Sequence, residues 1–205
     1  MQYLTREVVR AFFEAAGEDR LETLYILAVT TGLRQGEILG LKWEDVDFDA
    51  GRISVQRTLS AAKNDSTFSS PKSNKSRRSV KLATSAVEAL RAHRERQLEE
   101  REKLDGLWQD YGLVFISTIG TPLNRHNVFG RSFKPLLKKA GLPHTIRFHD
   151  LRHTCATLLG SKNVNPKVVQ EMLGHANISH TMDIYSHVLP NMQDEAAAAI
   201  ESALT

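Results

Sequence analysis

The chain has 205 residues, 41% of them hydrophobic and 25% charged, with a net charge of +3. These proportions are ordinary for a globular domain and exclude a disordered or fibrous chain. No apolar run approaches the roughly 18 residues of a membrane span, and the first residues contain no apolar signal core. The single cysteine, Cys155, excludes an internal disulfide, so we expect a reducing, cytoplasmic location.

The basic residues are unevenly distributed along the chain. Residues 52–81 contain eight Lys/Arg and one acid, and residues 121–167 contain nine Lys/Arg and one acid. Charge segregated in this way is typical of solvated loops, but it also suits two sides of a channel for a polyanion. The residues inside these two windows decide between the two interpretations.

The spacing of the hydrophobic residues changes from a helical to an alternating pattern within the first half of the chain. Apolar spacing predicts helices over about 5–16, 20–31 and 33–41, with Gly32 separating the second from the third. Alternation over 45–48 and 52–56, around a turn at Gly51, then predicts a hairpin. A polar loop is predicted from about 61 to 70, followed by a third strand over 79–82.

The second half reads as almost entirely helical. Predicted helices cover about 85–104, 124–140, 149–160, 166–173, 179–187 and 191–203, and 113–116 is a short apolar piece. We therefore predict a mainly α (α+β) fold with one small three-stranded antiparallel sheet. No linker or repeat divides the chain, so we treat 1–205 as a single domain.

The strongest local signal for chemistry is the segment from His149 to His153. His149 and Arg152 are three residues apart and share a helix face, where imidazole and guanidinium together suit a phosphate. An isolated pair of this kind is more often a surface pair without a task. His149 and His153, four apart, also resemble a zinc-protease motif, but Asp150 replaces the glutamate base and Arg152 adds a cation.

Two other segments offer cations to an anion. Arg34 opens a short helix after Gly32, where it either binds an anion or forms a structural pair with Glu37. Lys72 lies where the chain turns toward the third strand, followed by three further cations that suit generic phosphate contacts: Lys75, Arg77 and Arg78.

The last segment contains a histidine and a tyrosine ten residues apart. Gly174 ends a helix, so His175 occupies a fixed corner, and Tyr185 lies on the next short helix. Taken alone, Tyr185 would be interpreted as a half-buried packing residue.

Together these segments resemble the tyrosine recombinases, the phage-type integrases. The resemblance covers about residues 4–190, and its motifs occur in the family's order: TGLRQGE, PKSNKSRR, FHDLRHT, LGH and MDIYSHV. It implies the catalytic fold of that family and six catalytic residues, namely Arg34, Lys72, His149, Arg152, His175 and Tyr185. It also implies double-stranded DNA as the partner and a tetramer of protomers on paired sites, with neither metal nor cofactor.

The mechanism that the resemblance implies is a transesterification at a DNA phosphodiester. Tyr185 attacks phosphorus and forms a 3′-phosphotyrosine, which conserves the bond energy without ATP. Arg34, Arg152 and His175 stabilise the charge that develops on the non-bridging oxygens. His149 accepts the phenolic proton or holds the phosphate, and Lys72 protonates the leaving 5′-oxygen.

The family usually carries a separate N-terminal helical domain that clamps DNA, and we expect this chain to lack it. The core is expected over about 4–190, with a C-terminal helix at 191–205 that packs on its own domain or on a neighbouring protomer. Three alternatives stay open: a type IB topoisomerase that relaxes DNA, an inactive DNA-binding module, and a zinc hydrolase built on His149 and His153.

Overall fold

A computed structural model describes residues 3–62, 65–69, 77–104, 106–186 and 200–204. Its helices are α1 (Arg6–Ala16), α2 (Glu22–Thr31), α3 (Gln35–Leu39), α4 (Thr84–Lys103), α5 (Arg125–Val128), α6 (Lys134–Lys139), α7 (Phe148–Gly160), α8 (Pro166–Leu173) and α9 (Ser179–Ser186). Its strands are β1 (Val46–Asp47), β2 (Arg52–Val55), β3 (Thr58–Ala62), β4 (Asp65–Ser69) and β5 (Arg78–Lys81). The prediction of a mainly helical fold is confirmed.

The three-stranded antiparallel sheet is also confirmed, in the order β1-β2-β5. Its centre is the pair Ile53 and Val80, which lie opposite each other and are almost fully buried. Val55 faces Arg78 at the end of the sheet where β5 begins. This register places Arg78 beside the helices that carry the motifs, and α8 packs against β5.

The polar loop predicted over about 61–70 is wrong. β3 and β4 form a two-stranded antiparallel ribbon, with Thr58 opposite Ser69 and Ala62 opposite Asp65. The small and polar residues of this segment show no regular apolar alternation, so the sequence pattern did not indicate strands here. Gly36 and Gly40 of α3 lie close to the ribbon, where an added Cβ would come within 2.5 Å of Thr58 Oγ1 and 3.0 Å of the Leu59 nitrogen, respectively.

The helical prediction for 124–140 holds, with one local change. α5 and α6 are joined by a π-helical turn, Phe129–Phe133, so the segment is one continuous helix with a widened turn.

Of the C-terminal helix predicted over 191–203, residues 200–204 are helical and 187–199 lie outside the described residues. None of the helices described has the length and apolar character needed to cross a membrane.

One large core joins the helices to the sheet. α2 is buried on nearly every side and packs against α4 and α7. Aromatic rings from α1, α2 and α7 meet the ring of Phe133, with Phe12, Tyr25 and Phe148 within 6 Å of its centroid. A smaller cluster beside this core holds α8 and α9 against α7: Ala156, Val169, Leu173, Ile184 and Tyr185. The motif-bearing ends of α2, α7, α8 and α9 therefore meet at one place.

Candidate active site

The first turn of α7 is fixed by hydrogen bonds that its capping residue, Arg147, donates to its third residue, Asp150. The backbone nitrogen of Arg147 and its Nη2 donate to the two carboxylate oxygens of Asp150, each over 2.8 Å. Asp150 is fully buried, and these bonds lower its pKa although burial opposes the shift. Its carboxylate is thus committed to Arg147, which leaves the zinc-hydrolase alternative without the base its motif requires.

Arg152 lies one turn further along α7 and is 3% exposed. Its Nη1 donates to the Gly32 carbonyl over 2.7 Å. Its Nη2 is buried and has no hydrogen-bond partner among the described residues. A buried guanidinium with an unmet donor is unfavourable unless an anion completes its shell, so Arg152 marks an anion site.

Gly32 provides the acceptor for Arg152 at the end of α2. Its backbone is left-handed, with φ of 63°, and an added Cβ would lie 2.3 Å from Leu173 Cδ2 and 3.3 Å from Cys155 Sγ. Leu173 is fully buried, so its methyl group has little room to move. Glycine is therefore required both for the turn and for the close approach of α7 and α8.

We expect Gly32→Ala to destabilise the protein by about 1–3 kcal/mol, the usual cost of a non-glycine residue held in an unfavourable backbone conformation. Urea unfolding measures the change. Gly130→Ala is the matched control, because an added Cβ there meets nothing within 4 Å and the residue is helical. If the two variants are equally stable, Gly32 has no such role.

Arg34 caps the N-terminus of α3 and is held by Glu37. Its backbone nitrogen and its Nη1 donate to the two Glu37 oxygens, each over 2.9 Å. The carboxylate of Glu37 is 5% exposed, whereas the Arg34 side chain is 43% exposed. Burial raises the pKa of Glu37, but the hydrogen bonds and charges of Arg78 and Arg34 lower it overall. The structural pair predicted for Arg34 and Glu37 is present, and it leaves part of the Arg34 guanidinium open to a ligand.

His175 follows the end of α8, where Gly174 adopts φ of 67°. Arg34 Nη2 lies 3.4 Å from the Gly174 carbonyl, which links α3 to this corner across 140 residues. His175 Nδ1 is 2.9 Å from the hydroxyl of Thr181, which is fully buried on α9. If the hydroxyl donates to Nδ1, the ring proton is on Nε2, the nitrogen left for a ligand.

His149 and His153 lie one turn apart on α7 and meet edge to face, with centroids 4.8 Å apart. Partial desolvation, then His153 and Arg152, lower the pKa of His149 to about 4. His153 Nδ1 is buried without a hydrogen-bond partner in the described part of the chain. No three His, Cys, Asp or Glu residues within the described ranges converge as metal ligands do.

Burial and, after it, neighbouring positive charge lower the pKa values of two basic groups in the site. Burial, followed by the charges of Arg152 and Arg34, lowers the pKa of His175 to about 3. Burial and the charge of Arg34 lower the pKa of Arg152 to about 9. Both shifts place these residues in one electrostatic environment that resists further positive charge. An anion between them would relieve this repulsion, so the arrangement can bind and polarise a phosphate.

Acid is expected to destabilise the protein well before the carboxylates titrate. The folded state lowers the pKa values of His175, His149 and His93 from 6.5 to about 3, 4 and 4. The unfolded chain therefore binds more protons below pH 6.5, and stability is lost as the pH falls from there toward 4. Urea unfolding between about pH 7.5 and pH 5 measures the slope. His175→Gln should flatten the slope, and a slope identical to that of the wild-type protein would contradict the shift.

Tyr185 lies on α9 and is turned into the smaller core cluster. It is 2% exposed, and its hydroxyl donates to the Val164 carbonyl over 2.5 Å. Its ring packs on Gly160, where an added Cβ would lie 3.4 Å from the ring. Burial raises the pKa of the phenol. The hydroxyl is thus occupied in this conformation by a bond within the domain.

The structure brings together most of the residues that sequence reasoning singled out. Arg152 donates to the carbonyl of Gly32, two residues before Arg34, and Arg34 lies within 3.4 Å of the carbonyl of Gly174, the residue before His175. His149 shares α7 with Arg152, and Arg77 is exposed at the start of β5. Lys72 and Lys75 lie outside the described residues.

Arg78 was predicted to be a surface residue that contacts phosphate, but the structure places its side chain in the interior. Its side chain is only 7% exposed and donates to Glu37 and to the Met172 carbonyl. The strand alternation turns Arg78 inward and Arg77 outward, which the run of basic residues did not indicate.

Three supporting residues were missed by sequence reasoning. Thr181 orients His175, the Val164 carbonyl holds Tyr185, and the Gly32 carbonyl anchors Arg152. The only signal in the sequence was the glycine break at Gly32. Backbone carbonyls carry no side-chain pattern, so their role depends on the tertiary fold.

The fold and the site together define a class: a helical domain with a small sheet, an anion site of arginines and histidines, and a tyrosine on the adjoining helix. The model of the phage integrase family matches residues 2–192. The chain therefore belongs to the phage integrase family.

Similar proteins agree with this membership. The chain is 37% identical to a XerC-like tyrosine recombinase of Caldanaerobacter subterraneus subsp. tengcongensis, over 95% of this chain and 52% of the relative. It is 30% identical to the ICEBs1 integrase of Bacillus subtilis, over 100% of this chain and 55% of the relative. The chain thus spans about half the length of these curated relatives.

A solved structure shows the same fold. The Tn1549 transposon integrase, in complex with transposon right-end DNA, superposes with a TM-score of 0.83. The match covers 100% of this chain and 66% of that one, at 24% identity. At this identity the likeness concerns the fold.

Proposed function

We propose that this chain is the catalytic part of a site-specific DNA recombinase that cuts and rejoins strands through a phosphotyrosine. The observation that carries the proposal is the buried Nη2 of Arg152, which has no partner in the described part of the chain. Nη1 is bound to Gly32, so the free edge of the guanidinium is the donor that a phosphate oxygen would meet. Membership of the phage integrase family supports the same ligand.

Three donors would share the charge of the transition state. The side chain of Arg152 is buried, that of Arg34 is partly exposed, and His175 lies directly after the end of α8. Donors held in place before the reaction stabilise developing charge without reorganisation, and removing one typically costs about 10²–10³ in rate. Glu37 and Gly32 hold the two guanidiniums, which supports the view that the site is preorganised.

The chemical step would be a balanced exchange of one phosphate ester for another. The Tyr185 oxygen forms a bond to phosphorus, the bond from phosphorus to the 5′-oxygen breaks, and the 5′-oxygen leaves with a proton from Lys72. His149 accepts the phenolic proton. Attack by a different 5′-hydroxyl reverses the step and rejoins the strands.

Tyr185 must leave its bond to the Val164 carbonyl before it can attack. The phenol is held on the far side of α9 from solvent by the smaller core cluster, and burial raises its pKa. We propose that α9 shifts when DNA is bound and carries the hydroxyl toward the anion site. Thr181 and Tyr185 share α9, so the same shift would also adjust His175.

Double-stranded DNA is the proposed partner, with Arg77, Lys72 and Lys75 contacting it from the basic segment before β5. We also propose a tetramer of protomers on paired sites, as in recombination between two duplexes. The C-terminal segment 191–205 would pack on a neighbouring protomer in that assembly. The Tn1549 integrase was solved with DNA, which supports the first of these proposals.

A randomised pool of nicked suicide duplexes tests the function. The nick lets the short fragment that carries the new 5′-hydroxyl diffuse away, so a cleaving protein is trapped as a detergent-resistant adduct. We expect adducts that map to Tyr185 by mass spectrometry, and strand exchange between two copies of the selected duplex. Relaxation of supercoils without exchange would identify a topoisomerase, and binding without an adduct would identify an inactive module.

A further inference from the structure

The two adjacent arginines at the start of β5 face opposite ways. Arg77 is exposed, whereas the side chain of Arg78 is 7% exposed. Both border a cavity of about 320 Å³ between β5 and α8 that also reaches His175. A buried guanidinium next to an exposed one indicates that the two side chains have different tasks.

Arg78 donates hydrogen bonds to the carboxylate of Glu37, which also orients Arg34. Its Nη1 and Nη2 donate to the two oxygens of Glu37 over 3.1 and 2.9 Å. The same oxygens accept from the backbone and side chain of Arg34. Because Glu37 is 5% exposed and links two guanidiniums, its position depends on Arg78 from β5 as well as on α3.

The other edge of Arg78 holds the corner that precedes His175. Its Nε donates to the Met172 carbonyl over 2.7 Å. A Cβ added at Gly174 would lie 2.9 Å from Arg78 Nη1, so the guanidinium packs directly on that glycine. Arg34 reaches the Gly174 carbonyl on the same corner, over 3.4 Å. Arg78 thus touches both α3 and the end of α8.

We propose that Arg78 is a positioning residue that sets the distance between the Arg34 guanidinium and the His175 imidazole. The inference rests on the proposed function, because it concerns the geometry that these two groups offer to a phosphate. A side chain that acts in this way changes one phosphate contact and therefore the rate of the bound complex. The affinity for DNA, to which many other phosphate contacts contribute, stays nearly unchanged. A displacement of about 1 Å in a reacting group can cost about 10²-fold in rate.

Adjacent substitutions separate this role from a phosphate contact. Arg78→Gln should keep the Kd for the selected suicide duplex and slow single-turnover adduct formation at saturation by about 10²-fold. Arg77→Gln, the matched control, should weaken binding and reduce the salt slope by about 1, with an unchanged saturated rate. Arg78→Lys keeps the charge and reaches one partner at a time, so it should fall between Arg78→Gln and the wild-type protein.

Non-additivity provides the link to Glu37. The losses from Glu37→Gln and Arg78→Gln should not add in the double variant, because both act through one carboxylate. Additive losses, or an Arg78→Gln variant that changes Kd as Arg77→Gln does, would overturn the inference. If Arg78→Gln does not unfold cooperatively, Arg78→Lys takes its place in the test. A lower single-turnover rate with an unchanged Kd for the duplex would then support the positioning role.

Inorganic phosphate gives a readout that needs no cleavage. Phosphate should raise the Tm of the wild-type protein and of Arg77→Gln, and should raise that of Arg78→Gln much less. If the wild-type protein forms no adduct but this difference remains, the proposed function fails and the positioning role of Arg78 stands. If adducts form and the three proteins respond alike to phosphate, only the positioning role fails.

Discussion

Replacing Tyr185 with phenylalanine is expected to abolish the covalent DNA adduct and to leave DNA affinity unchanged. The substitution removes only the oxygen that would bond to phosphorus. The ring keeps its packing on Gly160 and in the cluster of α7, α8 and α9. Loss of the bond to the Val164 carbonyl should cost about 1 kcal/mol of stability, which leaves the domain folded. Adduct yield on the selected suicide duplex and a binding isotherm measure the two effects.

Tyr25→Phe is the matched control for this experiment. Tyr25 is fully buried, and its hydroxyl is 2.5 Å from Ser132 Oγ, so the variant also loses a buried hydroxyl bond. It lies in the large core, and we expect it to lose stability and keep adduct formation. Adducts formed by Tyr185→Phe at the wild-type yield would remove Tyr185 from the reaction.

Arg152→Gln is expected to slow adduct formation by about 10²–10³-fold, the usual effect of removing one donor from an oxyanion site. It should also raise the free energy of unfolding without ligand by about 1–3 kcal/mol, because a buried charge with an unmet donor disappears. Function and stability therefore change in opposite directions.

Single-turnover cleavage measures the rate of adduct formation, and urea unfolding measures the free energy of unfolding. Each is carried out with and without inorganic phosphate. Phosphate at about 100 times its Kd should stabilise the wild-type protein by about 2.7 kcal/mol and Arg152→Gln far less. Arg152→Lys keeps a charge without the planar fork, so we expect it to remain slow. If Arg152→Gln is less stable than the wild-type protein and phosphate stabilises both equally, Arg152 is structural and another residue forms the anion site.

The helices and the three-stranded sheet were predictable from the sequence, because the spacing of apolar residues that indicates them is visible within a few consecutive residues. The apolar spacing of α1 repeats over three or four residues and needs no distant partner. The ribbon of β3 and β4 was missed, since the small and polar residues between its strands and in β4 show no regular apolar alternation.

The proposed catalytic residues could be selected from the sequence for a different reason. Each motif was weak by itself, but phosphate chemistry requires several cations, imidazoles and one nucleophile, and five motifs in the order of one family meet that requirement. The role of Arg78 was not predictable in this way. Its basic neighbours resemble a surface contact, and only the register with Val55 shows that it points inward to Glu37.

Tyr185 was thus identified by the sequence alone, as the candidate nucleophile of a member of the phage integrase family. Only the tertiary structure decided where its hydroxyl lies, which is against the Val164 carbonyl. It also decided that Arg152 keeps a buried, unmet donor and that one carboxylate, Glu37, serves two arginines. The physical reason is the same in each case: hydrogen bonds between residues far apart in the chain depend on packing, and residue type encodes only what a side chain is able to donate or accept.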